Sequence, residues 1–238
     1  MTPKKSKLEI FRNFKFRVIL TWAFFFFGAI LVILLFILIF GLIGQNGFII
    51  LQEQRYFIVY IEIVSVGLLP VVITIGCEDE ISNYGLTLEK SSLLKSLLLS
   101  SFLIAFLFSL GYFTTGRIIT YETFDFQLDF PLNIYYGILG IFAWGPLEVF
   151  FFLWLVYNTE KSFDEKQKIF SWGLIITTIL FTLAHVITTR DFYNAFYTGT
   201  IFFVLGMIYK YTKNSIGPMV AWTLINGQVW FIAQLLIP

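Results

Sequence analysis

Seven stretches of this chain are almost free of charged residues: 17–44, 56–76, 92–115, 131–157, 169–187, 192–209 and 216–236. Each reaches or approaches the roughly 20 residues that an α-helix needs to cross a bilayer core at about 1.5 Å rise per residue. The runs are continuously apolar and rich in Leu, Ile and Phe, without the short alternating segments of a barrel strand, so they predict helices. The expected fold is all-α: a polytopic transmembrane bundle of about seven spans, forming a single membrane-embedded domain over 1–238. Pro70 in the second span and Pro146 in the fourth each remove a backbone donor and should bend their helices.

Composition agrees with the pattern. A chain that is 58% hydrophobic and 13% charged, with mean hydropathy +0.83, lies outside the soluble range. The expected location is integral and multi-pass, in the plasma membrane of a prokaryote. Of the 16 Lys and Arg residues, thirteen fall on one side if the N-terminus is inside: Lys4, Lys5, Lys7, Arg12, Lys15, Arg17, Lys90, Lys95, Lys161, Lys166, Lys168, Lys210 and Lys213. Only Arg55, Arg117 and Arg190 fall on the other. This positive-inside bias predicts an inner N-terminus and an outer C-terminus. The basic leader serves that topology, and the long apolar stretch after it lacks a small-residue cleavage site, so it reads as the first span. No nucleic-acid partner is expected; the partners implied are membrane lipid, a membrane-associated or lipidated peptide, and a partner membrane protein.

Between the spans, 77–91 is acidic and then polar and predicts a short interfacial helix on the inner side. Residues 116–130 intersperse Ile118, Ile119, Tyr121, Phe124, Phe126 and Leu128 with acids, which predicts a segment lying along the outer interface. Neither a repeat nor an inverted half-to-half symmetry is visible, which argues against a transporter. The single cysteine, Cys77, excludes an intrachain disulfide framework and a thiolate metal site. The many aromatic residues serve as lipid-facing filler and interfacial anchors.

Three ionisable side chains fall well inside the spans: Glu62, Glu148 and His185. A carboxylate at bilayer depth costs at least ~2.5 kcal/mol, so it should face the bundle interior and find a partner or a proton. Glu62 has no evident partner in the sequence and lies about two turns from the outer end of its helix, within reach of water. Glu148 is different, because Trp144, Phe151 and Phe152 surround its helix face. A Glu and a neutral His brought together there can accept and return a proton, as general acid-base chemistry requires. Phe181 and His185 share one helix face, as do Trp222 and Asn226, and the Asn226 amide can donate to a developing oxyanion. The competing structural reading is that these polar groups only hydrogen-bond across helices and fix packing. Straight, centred spans would place Glu148 about 6 Å to the inner side of mid-membrane and His185 about 10 Å to the outer side. Contact then requires an earlier start to the fifth helix, inside 160–168, or tilt and the Pro146 bend.

Residues 84–230 resemble the CPBP family, which includes the CAAX prenyl proteases and the bacteriocin-processing and self-immunity proteins called Abi. The family carries Glu-Glu-x-x-x-Arg, Phe-x-x-x-His and His-x-x-x-Asn on successive helices. Gly145 to Leu153 stands at the first motif, Phe181 to His185 matches the second in full, and Trp222 to Asn226 matches the third in its Asn. The stretch Gly206 to Pro218, and Tyr84-Gly85-Leu86 before the third span, resemble family context. The resemblance implies an intramembrane endopeptidase acting on membrane-associated or prenylated peptides. Glu148 would be the base, His185 would orient water and pass the proton on, and Asn226 would stabilise the oxyanion, with Phe181 and Trp222 contacting substrate. The departures are Val149 and Leu153, in place of a Glu and an Arg, and Trp222 in place of a His. Breaking one partner of a buried ion pair costs about 3–5 kcal/mol, whereas replacing both with apolar groups can be neutral. Losing one oxyanion donor costs on the order of 10² to 10³ in rate, unless the indole N–H substitutes. The implied function is therefore an attenuated endopeptidase, with a catalytically inactive relative in peptide binding, self-immunity or membrane-complex assembly as the alternative. No cofactor is expected, and one His, one Glu and one Asn are too few ligands for a metal.

Overall fold

The computed structural model describes residues 9–41, 56–117, 126–166 and 169–236, and all regular structure among them is helical. Six helices are long and apolar enough to span a bilayer: α1 (Phe14–Ile39), α2 (Phe57–Gly76), α3 (Lys90–Thr115), α4 (Leu132–Ser162), α5 (Trp172–Thr189) and α6 (Phe192–Thr212). The seventh expected span is broken. Helices α7 (Ile216–Ile225) and α8 (Gln228–Leu236) meet at 58°, because Gly227, at φ 86°, turns the chain out of the helix directly after Asn226. The pair can count as one bent span or as a re-entrant element, which makes six or seven spans among the described residues.

Helix α4 is the central element. In its most apolar window 67% of residues are buried, against 11% for α1 and 17% for α3. It packs on α1, α5, α6 and α7, and its outer half also packs on α8. Helices α1 and α3 turn residues such as Phe27, Leu38, Phe102 and Phe113 outward, and that exposed apolar surface suits contact with lipid. The core is built on Phe151, Phe152, Leu153, Trp154 and Leu155 of α4, joined by Leu174, Phe181, Phe202, Leu205 and Trp222 from α5, α6 and α7. Trp154 Nε1 also donates to Thr74 Oγ1 of α2 at 3.0 Å.

Two helices contain a π-helical segment, Ile63–Leu68 in α2 and Ala143–Leu147 in α4. The second contains Pro146, whose missing N–H explains why the regular ladder fails there. The two segments touch: a Cβ on Gly67 would lie 2.7 Å from the Leu147 methyls.

The segments assigned to the inner side meet at one end of the bundle. Arg17 pairs with Asp79 at 2.6 Å and donates to Asn158 Oδ1, and Tyr84 donates to Asp79 at 2.7 Å. The short interfacial helix expected in 77–91 is a 3-10 turn, Ile81–Tyr84. Behind it, Ser215 N donates to Gly85 O, Asn214 Nδ2 to Thr87 O and Tyr209 Oη to Asn83 O. Lys210 and Arg17, counted in the sequence among the inner-side charges, are 4% and 3% exposed. A buried cation needs a carboxylate, and the inner end supplies one to each. On the outer side, Ile118, Ile119, Tyr121 and Phe124 lie outside the described residues. Phe126 departs from the interfacial expectation: it is buried, and its ring stacks on Trp144 with centroids 6.2 Å apart.

Gly85 locks the inner end. Its φ is +75°, and an added Cβ would lie 2.7 Å from Tyr209 Cε2 and 2.8 Å from Ser215 N. Gly85→Ala is expected to cost on the order of 2 kcal/mol or more and to lower the melting temperature in detergent. Gly116→Ala, also at positive φ (+71°) but with open space around it, should cost clearly less; equal shifts would refute the close-approach argument.

Candidate active site

Glu148 is the first residue after the π-helical segment of α4, and its carboxylate is 6% exposed. His185 of α5 places Nε2 3.3 Å from Glu148 Oε1. Trp222 of α7 donates its indole N–H to the other oxygen, Oε2, at 2.7 Å. One carboxylate thus joins three helices.

The expected separation of Glu148 and His185 does not occur, and the reason is register. Helix α5 begins at Trp172 and not within 160–168, whereas α4 extends inward as far as Ser162. Gly173, near the start of α5, sits directly against Glu160 of α4: an added Cβ would meet Glu160 N at 2.9 Å and Val156 O at 3.1 Å. Twelve residues lead from Glu160 back to Glu148, and twelve lead from Gly173 on to His185. At about 1.5 Å per residue both paths are about 18 Å, so antiparallel packing brings the two side chains level.

The protonation pattern follows from the neighbours. His185 Nδ1 lies 3.1 Å from Phe181 O, which can only accept, so Nδ1 carries a hydrogen. Nε2 then faces Glu148 Oε1 at 3.3 Å, the geometry across which a general acid-base pair can exchange a proton.

Aromatic rings back the pair. Phe181 and His185 have ring centroids 4.5 Å apart, Phe181 and Phe202 4.4 Å, and Phe202 and Trp222 4.8 Å. Phe181 and Trp222 are each only 2% exposed, so they wall the site. His185, with 20% of its side chain exposed, is the more open member of the pair. Asn226 Nδ2 donates to Trp144 O of the π segment at 2.8 Å, which ties the end of α7 to the turn that precedes Glu148. Val149 and Leu153 are fully buried and belong to the hydrophobic core.

Sequence reasoning missed two things here. Glu62, read as reaching water, is half-buried and interacts electrostatically with Glu148. The facing π segments bring α2 and α4 together beside these two acids, and only Pro146 hinted at them. The second omission is Glu160, which accepts from both Lys210 Nζ and Ser171 Oγ. The only signal in the sequence was a Lys near the end of an apolar helix, which the positive-inside rule accounts for equally well. Among the described residues no group of three or more His, Cys, Asp or Glu is placed to hold a metal.

Residues 130–228 match the family model described as Type II CAAX prenyl endopeptidase Rce1-like. The match runs from α4 into the start of α8 and includes Glu148, Phe181, His185, Trp222 and Asn226. The match agrees with the resemblance to the CPBP family that the motifs carry. The matched region starts after Tyr84-Gly85-Leu86, and no curated protein and no solved structure matches the chain.

The indole contact can be tested directly. Trp222→Phe keeps a ring against Phe202 but removes the indole N–H together with part of the ring volume; the loss of the donor to Glu148 Oε2 alone costs about 1–3 kcal/mol. In a double-mutant cycle with Glu148→Gln, read by thermal unfolding in detergent, the two changes should be coupled by at least about 0.5 kcal/mol. Additive effects would rule out the direct contact.

Proposed function

We propose that this protein is a CPBP-type intramembrane glutamic endopeptidase of attenuated activity, cleaving membrane-associated or prenylated peptides. The observation that supports the reading most directly is the buried Glu148–His185 pair at 3.3 Å. A water held against Oε1 and Nε2 gives a proton to Glu148, and its oxygen bonds to the scissile carbonyl carbon. The C–N bond then breaks, and the proton leaves with the amine through His185. Water held against the pair is shielded from bulk solvent by Phe181, Phe202 and Trp222, where electrostatic interactions are stronger than in water. Asn226 has one amide N–H engaged on Trp144 O and a second to offer an oxyanion.

The attenuation has a local cause. With its N–H on Glu148, Trp222 holds the carboxylate and offers no donor to a developing oxyanion. The same contact favours a second reading, a non-catalytic relative that binds a membrane peptide or partner protein, as in bacteriocin self-immunity or membrane-complex assembly. There the polar cluster would serve only as a structural tie.

Purified protein in proteoliposomes, offered prenylated and unprenylated membrane peptides, separates the two. Cleavage that is abolished by Glu148→Ala and by His185→Ala supports the endopeptidase; cleavage unchanged in both variants refutes it. Trp222→His, which restores the family's third motif, should raise the rate on the order of 10² if a missing oxyanion donor is the deficit. No cleavage by either wild type or Trp222→His, with partner capture surviving Glu148→Gln, would establish the second reading.

A further inference from the structure

At the inner end of the bundle, about 18 Å from Glu148 along α4, a cleft of about 110 Å³ opens between α4, the end of α6 and the 3-10 turn Ile81–Tyr84. A water's share of liquid volume is about 30 Å³, so a tetrahedral oxyanion fits. Every lining side chain ends in a polar group. Two ammonium groups, Lys210 and Lys213, face one carboxylate, Glu160.

That carboxylate is already committed, because Lys210 Nζ and Ser171 Oγ both donate to Glu160 Oε1. Lys213 is left over. Among the described residues no carboxylate lies within ion-pair distance of its Nζ. Partial burial, and then the neighbouring Lys210 ammonium, hold its pKa below the usual lysine value. An anion beside it would relieve that repulsion. Two neutral donors share the cleft: the Tyr157 hydroxyl and the Asn83 side-chain amide line it and make no hydrogen bond to another described residue. Tyr209, by contrast, spends its hydroxyl on Asn83 O. Lys161 Nζ lies 5.5 Å from the centre of the Tyr157 ring and adds positive charge nearby. The acid at the rim, Glu80, is exposed and takes the Ser82 hydroxyl at 3.4 Å.

We propose that this cleft binds a phosphate group, with Lys213 as the cation and Tyr157 and Asn83 as neutral donors. The cleft lies where spanning helices α4 and α6 end, beside Lys161, Lys210 and Lys213, so an anionic phospholipid headgroup can deliver the phosphate. A free phosphate carries the same chemistry. The site is separate from the Glu148 pair and does not depend on catalysis there.

The test uses the full chain, delipidated in detergent and offered phosphatidylglycerol, phosphatidylcholine or inorganic phosphate. Bound molecules are counted by native mass spectrometry, and stabilisation is read from the melting temperature. Wild type should retain phosphatidylglycerol over phosphatidylcholine, Lys213→Ala should weaken that retention about fivefold, and Lys213→Arg should preserve it. Lys90→Ala, an exposed lysine at the same end of the bundle, should leave it unchanged. A response to phosphatidylglycerol alone identifies lipid as the source, and a Lys213-dependent response to inorganic phosphate identifies the free anion. If Lys213→Ala does not fold, the double variant Tyr157→Phe/Asn83→Ala carries the same comparison. Equal binding by wild type and these variants, or equal losses from Lys213→Ala and Lys90→Ala, overturns the site.

Discussion

A carboxylate removed from water must be matched by donors or cations, and in a bundle with few polar groups those partners lie on other helices. Three acids organise the protein on this principle. Asp79, after α2, receives Arg17 of α1 and Tyr84. Glu160 of α4 receives Lys210 of α6 and Ser171 at the start of α5. Glu148, also on α4, meets His185 of α5 and Trp222 of α7. Hydrophobic burial gives little preference among helix faces in lipid, so these contacts, together with close packing, decide which faces meet. Two of the three acids lie on α4, and α5 is tied to it at two levels about 18 Å apart.

The family relationship and the departures from its motifs have one physical explanation. At Val149 and Leu153 a charged pair has been exchanged for core packing, and both residues are fully buried. Trp222 is a different kind of change. Its ring fills the core against Phe202 while its N–H satisfies Glu148, so a residue that departs from the catalytic pattern stabilises the carboxylate that the pattern retains. The Glu148–His185 contact therefore coexists with an indole donor at position 222.

Much of the fold was legible in the chain. Six of the seven apolar runs correspond to helices that begin and end within a few residues of the expected positions, apart from α1 and α4. The break between α7 and α8 was not legible, because a left-handed glycine inside an apolar stretch looks no different from a packed one. His185 and Glu148 stood out because an ionisable group in hydrocarbon is costly wherever it is. Their contact did not, since centring each span separately discards the packing of Gly173 on Glu160 that sets the α4–α5 register. The burial of Lys210 and Arg17 was not legible for a related reason: a cation at a helix end satisfies the topology rule whether it is exposed or buried.

By itself, the sequence determined that this is a helical membrane protein, which residues are too polar to face lipid, and which family motif survives complete. Those properties depend on local composition and on spacing along one helix, and both are written in the chain. Only the tertiary structure decided that Glu148, His185 and Trp222 share one carboxylate, that Glu62 lies within electrostatic reach of it, and that Lys213 has no carboxylate within ion-pair distance among the described residues. Each of these depends on the axial register and facing of helices far apart in sequence. Those are set by close contacts such as Gly173 on Glu160 and Gly67 on Leu147, where the absence of a side chain is what permits the approach.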